Sequence, residues 1–548
     1  MATLASIPVP RFSWSLEGFF LLGLVGLLTI AASIFLFSRK SFDSQLPPGP
    51  TAWPIIGNLH QLGPKNPHHI LWEMSKKYGP VMRLWLGSHP LVVVSSAQAA
   101  AEFVKVQDKA WGGRPPSIAG EIFSYNYRNV VWAPYGNYWR HVRKICSLEL
   151  LTPKRLETFR APRAEELSQM IKTMFQDGEK GEAVNLQVKL GHLSSNNITR
   201  MLLNKRFFDA GTAGEEDSHR FTELIFEVFS ISLTLLIGDF IPWLKWVTTV
   251  SGFKARIKKA KGGLDSFLQT FLEIKKSKLL QHQIHEKPQA SETNEEEHAD
   301  EQQQFDQSAE EDFVGVLMAQ PSEDGTGRLA EDSVKAVIQD LLLAGTDTSA
   351  LTVEWGLAEL LRNPIVMKKL QTELDTVVGK DRIVMETDLP NLPYLQAVTK
   401  EVFRLHPTTP LGIPHESMET TTVLGFKFPT KTRLFLNLYA IQRDPMMWEW
   451  PLEFDPERFV KNPEIDVRGK HLQLMPFGTG RRMCPGMPLA VVFVQMGLAR
   501  LAHSFDFTLP GGEDPLKLDM TETFGLSTPR VHPLHVHPKP RLPKHLYL

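Results

Sequence analysis

The residues with the most chemical content lie between Phe477 and Gly486, which read Phe-Gly-Thr-Gly-Arg-Arg-Met-Cys-Pro-Gly. One of only two cysteines in the chain, Cys484, sits there. Glycines let a backbone turn tightly and approach a bound group closely. Arg481 and Arg482 bring positive charge beside the thiol, and the apolar run from about Leu489 to Phe505 reads as a helix. A cysteine at a helix N-terminus beside arginines favours its thiolate form. A thiolate in a glycine-walled loop suits a haem iron. The bland alternative is a small buried cysteine.

A second segment, Ala344-Gly345-Thr346-Asp347-Thr348-Ser349, falls within one long helix expected over Ser333 to Leu361. That helix is apolar nearly all round its centre, as core helices are. Polar groups there are costly unless partnered. Gly345 and the hydroxyls are expected to loosen the helix locally, leaving a carbonyl free and room for a small ligand or water. Thr348 beside the carboxylate of Asp347 reads as a proton relay. A helix N-cap is the alternative, and the apolar pattern on both sides argues against it. Glu401 and Arg404, three apart, share one helix face. Alone they would be a surface ion pair worth ~0–1 kcal/mol. Trp139 and Arg143, four apart, also share a face.

These groups sit in a chain of 548 residues. Two cysteines in that length exclude a disulfide framework and suggest a reducing compartment. The net charge of −1 implies no nucleic-acid partner. It hides an acidic stretch: Glu286 to Asp312 carries eleven acids and one lysine, a local −10 that leaves +9 elsewhere. A basic body suits an anionic membrane surface or an acidic protein. The stretch from 282 to 312 is too polar to bury apolar surface and is expected to be a disordered surface insertion.

Gly18 to Phe37 carries no charge over twenty residues, which as a helix spans ~30 Å, the hydrocarbon thickness of a bilayer. It is read as a retained anchor, not a cleaved signal peptide. Arg39 and Lys40 after it place the body in the cytosol and residues 1–17 in the lumen. Residues 38–50, ending Pro47-Pro48-Gly49-Pro50, form a stiff hinge, and 51–548 the body. Helical stretches outnumber strands there. Leu91 to Ser95 and Arg433 to Leu438 read as strands. Asn197-Ile198-Thr199 matches a glycosylation pattern by chance, and the histidines from His532 to His545 lie in a proline-stiffened extended tail.

The spacing Phe-x-x-Gly-x-Arg-x-Cys-x-Gly resembles the haem-thiolate loop of the cytochrome P-450 monooxygenases. The Ala-Gly-Thr-Asp-Thr segment, the Glu-x-x-Arg pair and the Trp-x-x-x-Arg element resemble that family's other motifs, in its order, across almost the whole chain. Ala133-Pro134-Tyr135-Gly136 and Thr352-Val353-Glu354-Trp355 are similar to plant microsomal hydroxylases of flavonoids, phenolic esters and terpenoids. The resemblance implies a mainly α fold with small β-sheets and one N-terminal transmembrane helix. It implies haem b ligated by Cys484 within a loop including Phe477 and Gly486. Trp139, Arg143, Arg482 and His415 would hold the haem carboxylates. Asp347 and Thr348 would deliver protons for oxygen activation, and Glu401, Arg404 and Arg458 would form a structural network.

Electrons would come from NADPH through a separate flavoprotein reductase, which basic residues such as Arg140, Lys144 and Arg155 could face. The implied location is the endoplasmic reticulum membrane, single-pass, with the catalytic domain cytosolic. Substrate-contact candidates are Ile118, Ile122, Phe123, Phe226, Leu343, Ala344, Leu411, Ile413, Phe524 and Leu526. They are mainly apolar, which tilts the reading to a terpenoid over a flavonoid or phenylpropanoid, because a pocket reading phenol hydroxyls should carry matching polar groups. Gln339 and Asp340 would reverse that tilt if they faced the cavity. A haem-thiolate isomerase or dehydratase, or a non-enzymatic haem-binding protein, are the rival functions; neither has need of the Asp347–Thr348 pair.

Overall fold

A computed structural model of the chain describes residues 46–63, 66–208, 236–285, 312–525 and 527–548, with positions 224, 227, 228 and 231. The expected anchor at 18–37, the segment before it, most of the hinge and all but the ends of the acidic insert lie outside the described residues. So do two substrate candidates, Phe226 and Leu526.

The helices that position the site are α1 (Pro67–Tyr78), α2 (Ile118–Phe123), α3 (Asn137–Ile145), α4 (Leu186–Leu203), α5 (Glu331–Arg362), α6 (Pro393–Leu405) and α7 (Met487–Ser504). Among the described residues, nine short strands make three sheets. β1 (Val81–Leu86), β2 (His89–Val94), β7 (Arg433–Leu436) and β4 (His415–Glu416) form one, in that order. β3 (Val184–Asn185), β9 (His535–Pro540) and β8 (Phe505–Thr508) form the second, and β5 (Thr421–Val423) with β6 (Phe426–Phe428) a hairpin. The hairpin turns on Leu424 and Gly425, both at positive φ, as a two-residue turn matched to strand twist requires. The histidine-rich end is extended as expected, but it is no free tail: Val536 is buried opposite Val184 and the strand pairs on both sides.

The spine is α5, thirty-two residues long. Glu331 and Asp332 in its first turn and Arg362 in its last complement the helix dipole, and Pro364 prevents its continuation. It runs without interruption through Gly345, so the expected loosening is absent. The hydroxyls bond back to carbonyls one turn earlier: Thr346 to Leu342 at 2.6 Å, Thr348 to Ala344 at 2.7 Å and Thr352 to Thr348 at 2.8 Å. The Ser194 hydroxyl of α4 donates to the Gly345 carbonyl at 2.9 Å. These bonds partner the buried polar groups while the helix stays intact.

Small residues bring the helices close. A Cβ on Gly356 would lie 2.8 Å from Leu498 Cδ2, and one on Gly497 would lie 2.8 Å from Val353 Cγ2, so α5 and α7 interlock through reciprocal glycine–aliphatic contacts. Among the described residues, α7 is the one helix apolar and long enough to cross a bilayer, and most of it is core. Asn197 is buried in α4, which excludes a glycan. Both cysteines are free. The described end of the hinge is pinned, since the Arg83 amide donates to the Pro48 carbonyl at 3.0 Å.

Glu401, Arg404 and Arg458 are buried together. Glu401 accepts from Arg404 Nε at 2.7 Å and Nη2 at 2.8 Å, from Arg458 Nε at 3.1 Å, and from the Asp455 amide at 2.8 Å. The spare guanidinium donors end on carbonyls of Gln442, Glu449, Pro451 and Glu453. One carboxylate thus anchors the 442–458 segment to α6. Glu401→Gln removes the only negative charge holding two buried arginines and should cost about 3–5 kcal/mol. Denaturant unfolding of the purified protein measures it, and a loss below about 1 kcal/mol would show that the trio is not load-sharing.

Candidate active site

The Cys484 loop takes its shape from two glycines in the left-handed region, Gly478 at φ 68° and Gly480 at φ 70°. A Cβ at Gly480 would stand 2.5 Å from the Val104 carbonyl oxygen, so no other residue fits there. The Cys484 amide closes the loop on the Phe477 carbonyl at 2.9 Å, and Gly486 begins α7. Phe477 meets Phe403 of α6 edge-on at 5.2 Å. The Met475 amide donates to Gln442 Oε1 at 3.0 Å, which joins the loop to the segment held by Glu401.

The thiol has accessible surface, yet protein surrounds it closely enough for burial to push its pKa up. Both hold because it opens onto an interior space, not the outer surface. The Gly486 and Met487 amides and Arg143 act the other way. The arginines next to it in sequence are aimed elsewhere. Arg481 pairs with Asp108 at 3.0 Å and donates to the Tyr135 hydroxyl at 2.8 Å. Arg482 donates to the carbonyls of Gly112 at 2.9 Å, Ala133 at 2.7 Å and Val130 at 3.3 Å, with its guanidinium 4.3 Å from the Trp139 ring centre. A thiol raised by burial ionises when a metal takes up its charge.

Beside the Arg481–Asp108 pair gather Arg114, Arg143 and Arg482, none of them in a salt bridge among the described residues. Arg114, absent from the sequence-based set, donates to the carbonyls of Val131 at 3.0 Å, Ile413 at 3.0 Å and Pro414 at 2.8 Å. Burial lowers its pKa well below the ordinary value, and Arg482 is the charge acting on it. Burial and then Arg143 bring Arg482 down to about 9. Arg143 is lowered by burial, and the groups opposing that are the two cysteines. Among the described residues no carboxylate acts on Arg114 or Arg143.

His415, on β4, donates from Nδ1 to the Trp111 carbonyl at 2.9 Å, and burial keeps it neutral. Trp139 donates to the Val130 carbonyl at 3.0 Å. Guanidinium has five N–H donors and Arg482 uses three on carbonyls, so donors remain. A desolvated cation cluster without a counterion is matched by a ligand carrying carboxylates beside a metal. These residues therefore fit haem. The local signal for Arg114 was its setting, Gly112-Gly113-Arg114-Pro115-Pro116, where glycines permit close packing and prolines stiffen the exit.

α5 supplies the other wall. Ala344 is exposed although the helix around it is core, so this face too opens inward. Leu343 packs in one apolar cluster with Ile118, Ile122 and Phe123 of α2 and with Leu489, in the first turn of α7 just past the cysteine loop. Leu411 and Phe524 belong to a different cluster, against β1 and β2. Phe524 also lies over His68, which bonds Glu522 at 2.6 Å. Ile413 lies half-buried beside Arg114, which takes its carbonyl.

Thr348 and Asp347 are adjacent but aimed apart. Asp347 accepts from the Ser527 hydroxyl, and burial raises its pKa. Asp340 does not serve the pocket: two backbone amides and Asn129 occupy its carboxylate. Ser527 and Asp340 could not be paired with their partners from sequence, since those lie 180 and about 210 positions away.

A family model for cytochrome P-450 matches residues 47–535. The chain belongs to the cytochrome P-450 family. It is 40% identical over 523 residues to a flavonoid 3'-monooxygenase of Petunia hybrida, covering 93% of this chain and 95% of that protein. It is 39% identical over 521 residues to a trimethyltridecatetraene synthase of Zea mays, covering 93% and 91%. The fold matches a zebra fish cytochrome P-450 structure with abiraterone at TM-score 0.66 and 24% identity, over 87% of this chain and all of the other. This cytochrome P-450 is a plant-type monooxygenase that uses haem, a hydrophobic substrate and NADPH electrons delivered by a reductase partner.

Arg114→Ala should lower haem content of the purified P-450 at least several-fold, as Arg143→Ala should, with Arg114→Lys intermediate. A pyridine haemochromogen assay per folded protein reads it. Full occupancy in Arg114→Ala would remove Arg114 from the cofactor set.

Proposed function

We propose that this cytochrome P-450 hydroxylates a compact, hydrocarbon-rich plant metabolite of the terpenoid class, in the pocket bounded by α5, α2 and the Cys484 loop. One observation carries the reading: most polar side chains along this wall are already partnered within the protein, with the buried Gln339 Oε1 on α5 the exception. Asn129 and Asp340 bond each other and backbone amides, Ser124 bonds the Gly120 carbonyl, and Thr346 and Thr348 bond their own helix. What remains is apolar, with Leu343, Ala344, Ile118, Ile122 and Phe123 leading. Burial of aliphatic surface is worth about 25 cal/mol per Å². Flavonoid ring hydroxylation is the second reading, favoured by the similarity to the Petunia hybrida protein.

Cys484 would hold the haem iron through its thiolate in this reading. Arg114, Arg143 and Arg482 would hold the haem carboxylates; Trp139 and His415, expected from the sequence to share that role, have spent their N–H groups on the Val130 and Trp111 carbonyls and would support the site from behind. Bound haem supplies the oxygen-activating redox chemistry. The chain supplies the rest. The Thr348 hydroxyl donates to the Ala344 carbonyl, which leaves its lone pairs to accept from a water. Asp347, a raised carboxyl bonded to Ser527, can hold a proton and release it toward that water when its side chain turns. Residues 18–37 anchor the enzyme in the endoplasmic reticulum membrane with the catalytic body cytosolic. Exposed Arg140 and Lys144 on α3 meet the reductase.

Cys484→Ala should abolish the thiolate-type Soret band of the reduced carbon-monoxide complex; a retained band would reassign the ligand. Thr348→Ala should keep haem but divert about 10²-fold more reducing equivalents to peroxide or water relative to product, read as NADPH consumed against product formed. Unchanged coupling removes Thr348 from the relay. Reconstituted with reductase and NADPH, the enzyme should turn over monoterpenes or sesquiterpenes. Hydroxylation of flavanones alone would select the second reading.

A further inference from the structure

Asp340 lies on α5 eight residues before Thr348, and its carboxylate is spent on a single strip of chain. Its Oδ1 accepts from Asn129 Nδ2 at 2.7 Å, and its Oδ2 from the amides of Val130 at 2.7 Å and Val131 at 3.1 Å. Asn129 Oδ1 in turn accepts from the Trp132 amide at 2.9 Å. Every backbone N–H from Val130 to Trp132 is thereby captured.

The carbonyls of the same strip are taken by cations and one indole. Val130 accepts from Trp139 Nε1 at 3.0 Å and Arg482 Nη1 at 3.3 Å, Val131 from Arg114 Nε at 3.0 Å, and Ala133 from Arg482 Nη2 at 2.7 Å. One carboxylate thus stands at the amide end of a short row of peptide dipoles, and two unpaired guanidiniums at the carbonyl end. An acid so placed orients the carbonyls and stabilises the cations through them, since aligned hydrogen bonds polarise one another in a low-dielectric interior. It also carries a cost: burial lifts Asp340 to about 7, against three hydrogen bonds that pull it down. A carboxyl kept at that cost, away from substrate, calls for a role in the strip.

We propose that Asp340 is a positioning residue which, through residues 129–133, sets Arg114 and Arg482 for the carboxylates of the haem. The inference rests on the reading that these arginines hold those carboxylates. Asp340 touches neither haem nor substrate, and its effect travels through peptide groups. Asparagine at 340 can still accept from the Val130 and Val131 amides but loses the charge and the bond from Asn129 Nδ2, whereas alanine loses all three bonds, so the two variants grade the perturbation of the strip.

The test uses haem-loaded, full-length enzyme. Haem transfer to excess apomyoglobin gives the dissociation rate for wild type, Asp340→Asn, Asp340→Ala, Arg482→Lys and Asp340→Asn/Arg482→Lys. Resonance Raman of each reports the propionate bending band. The expected result is about 3-fold faster loss for Asp340→Asn, and at least 10-fold for Asp340→Ala if it folds. The propionate band should shift in both, and the double variant should lose haem less than the product of the single effects predicts. Wild-type loss and an unmoved band in Asp340→Asn, with Arg482→Lys shifted, would overturn the proposal alone. Arg482→Lys and Arg114→Ala both behaving as wild type would overturn the reading beneath it.

Discussion

A single buried carboxylate, Glu401, carries the geometry on which the cofactor side of the molecule depends. It is fully enclosed, and it neutralises two arginines whose remaining donors are tied to backbone carbonyls. Such an arrangement is not a strong net source of stability, because removing three charges from water costs nearly what their attraction returns. Its value is directional. The guanidinium forks fix where the 442–458 segment lies against α6, Gln442 passes that position to the Met475 amide, and the Phe403–Phe477 contact seats the cysteine loop. A loop that must place one sulfur atom needs such a chain of angular constraints, which apolar packing alone does not supply.

The electrostatics of the interior are lopsided in a way that explains the ligand. Arg114 and Arg482 are held by carbonyls, whose partial charges solvate a guanidinium without neutralising it, and Arg143 lies beside them under the influence of the two cysteines. The full negative charges come with the cofactor. The thiol shows the complementary bias, since burial works against its ionisation and only two amides and Arg143 work for it. Both halves of the site are therefore poised to be completed by one group that brings carboxylates and a metal together.

The wall opposite is organised by α5. Back-bonded hydroxyls satisfy its polar groups within the helix, Ser194 bonds the Gly345 carbonyl, and close glycine contacts press it onto α7. Two of its central acids are claimed by distant segments, Asp340 by residues 129–131 and Asp347 by Ser527. Much of the polar content of the helix is thus taken up by bonds within the protein.

Much of this was legible in the residue order. The cysteine loop, the long helix (read as Ser333 to Leu361, found as Glu331–Arg362), the Glu-x-x-Arg pair and the β2 and β7 segments are local patterns. Local patterns are set by spacing, periodicity and backbone freedom, which a sequence states directly. Tertiary structure alone decided which charges meet. Arg481 and Arg482 neighbour Cys484 in sequence, yet Arg143, more than three hundred residues away, is the cation that acts on it. Composition around Gly345 suggests an interrupted helix, yet the helix continues there, packed closely against α4 and α7, which lie far away in sequence. Hydrogen bonds to carbonyls carry no side-chain signature in sequence, so the strip at 129–133 and the role of Arg114 emerged only once the chain was folded.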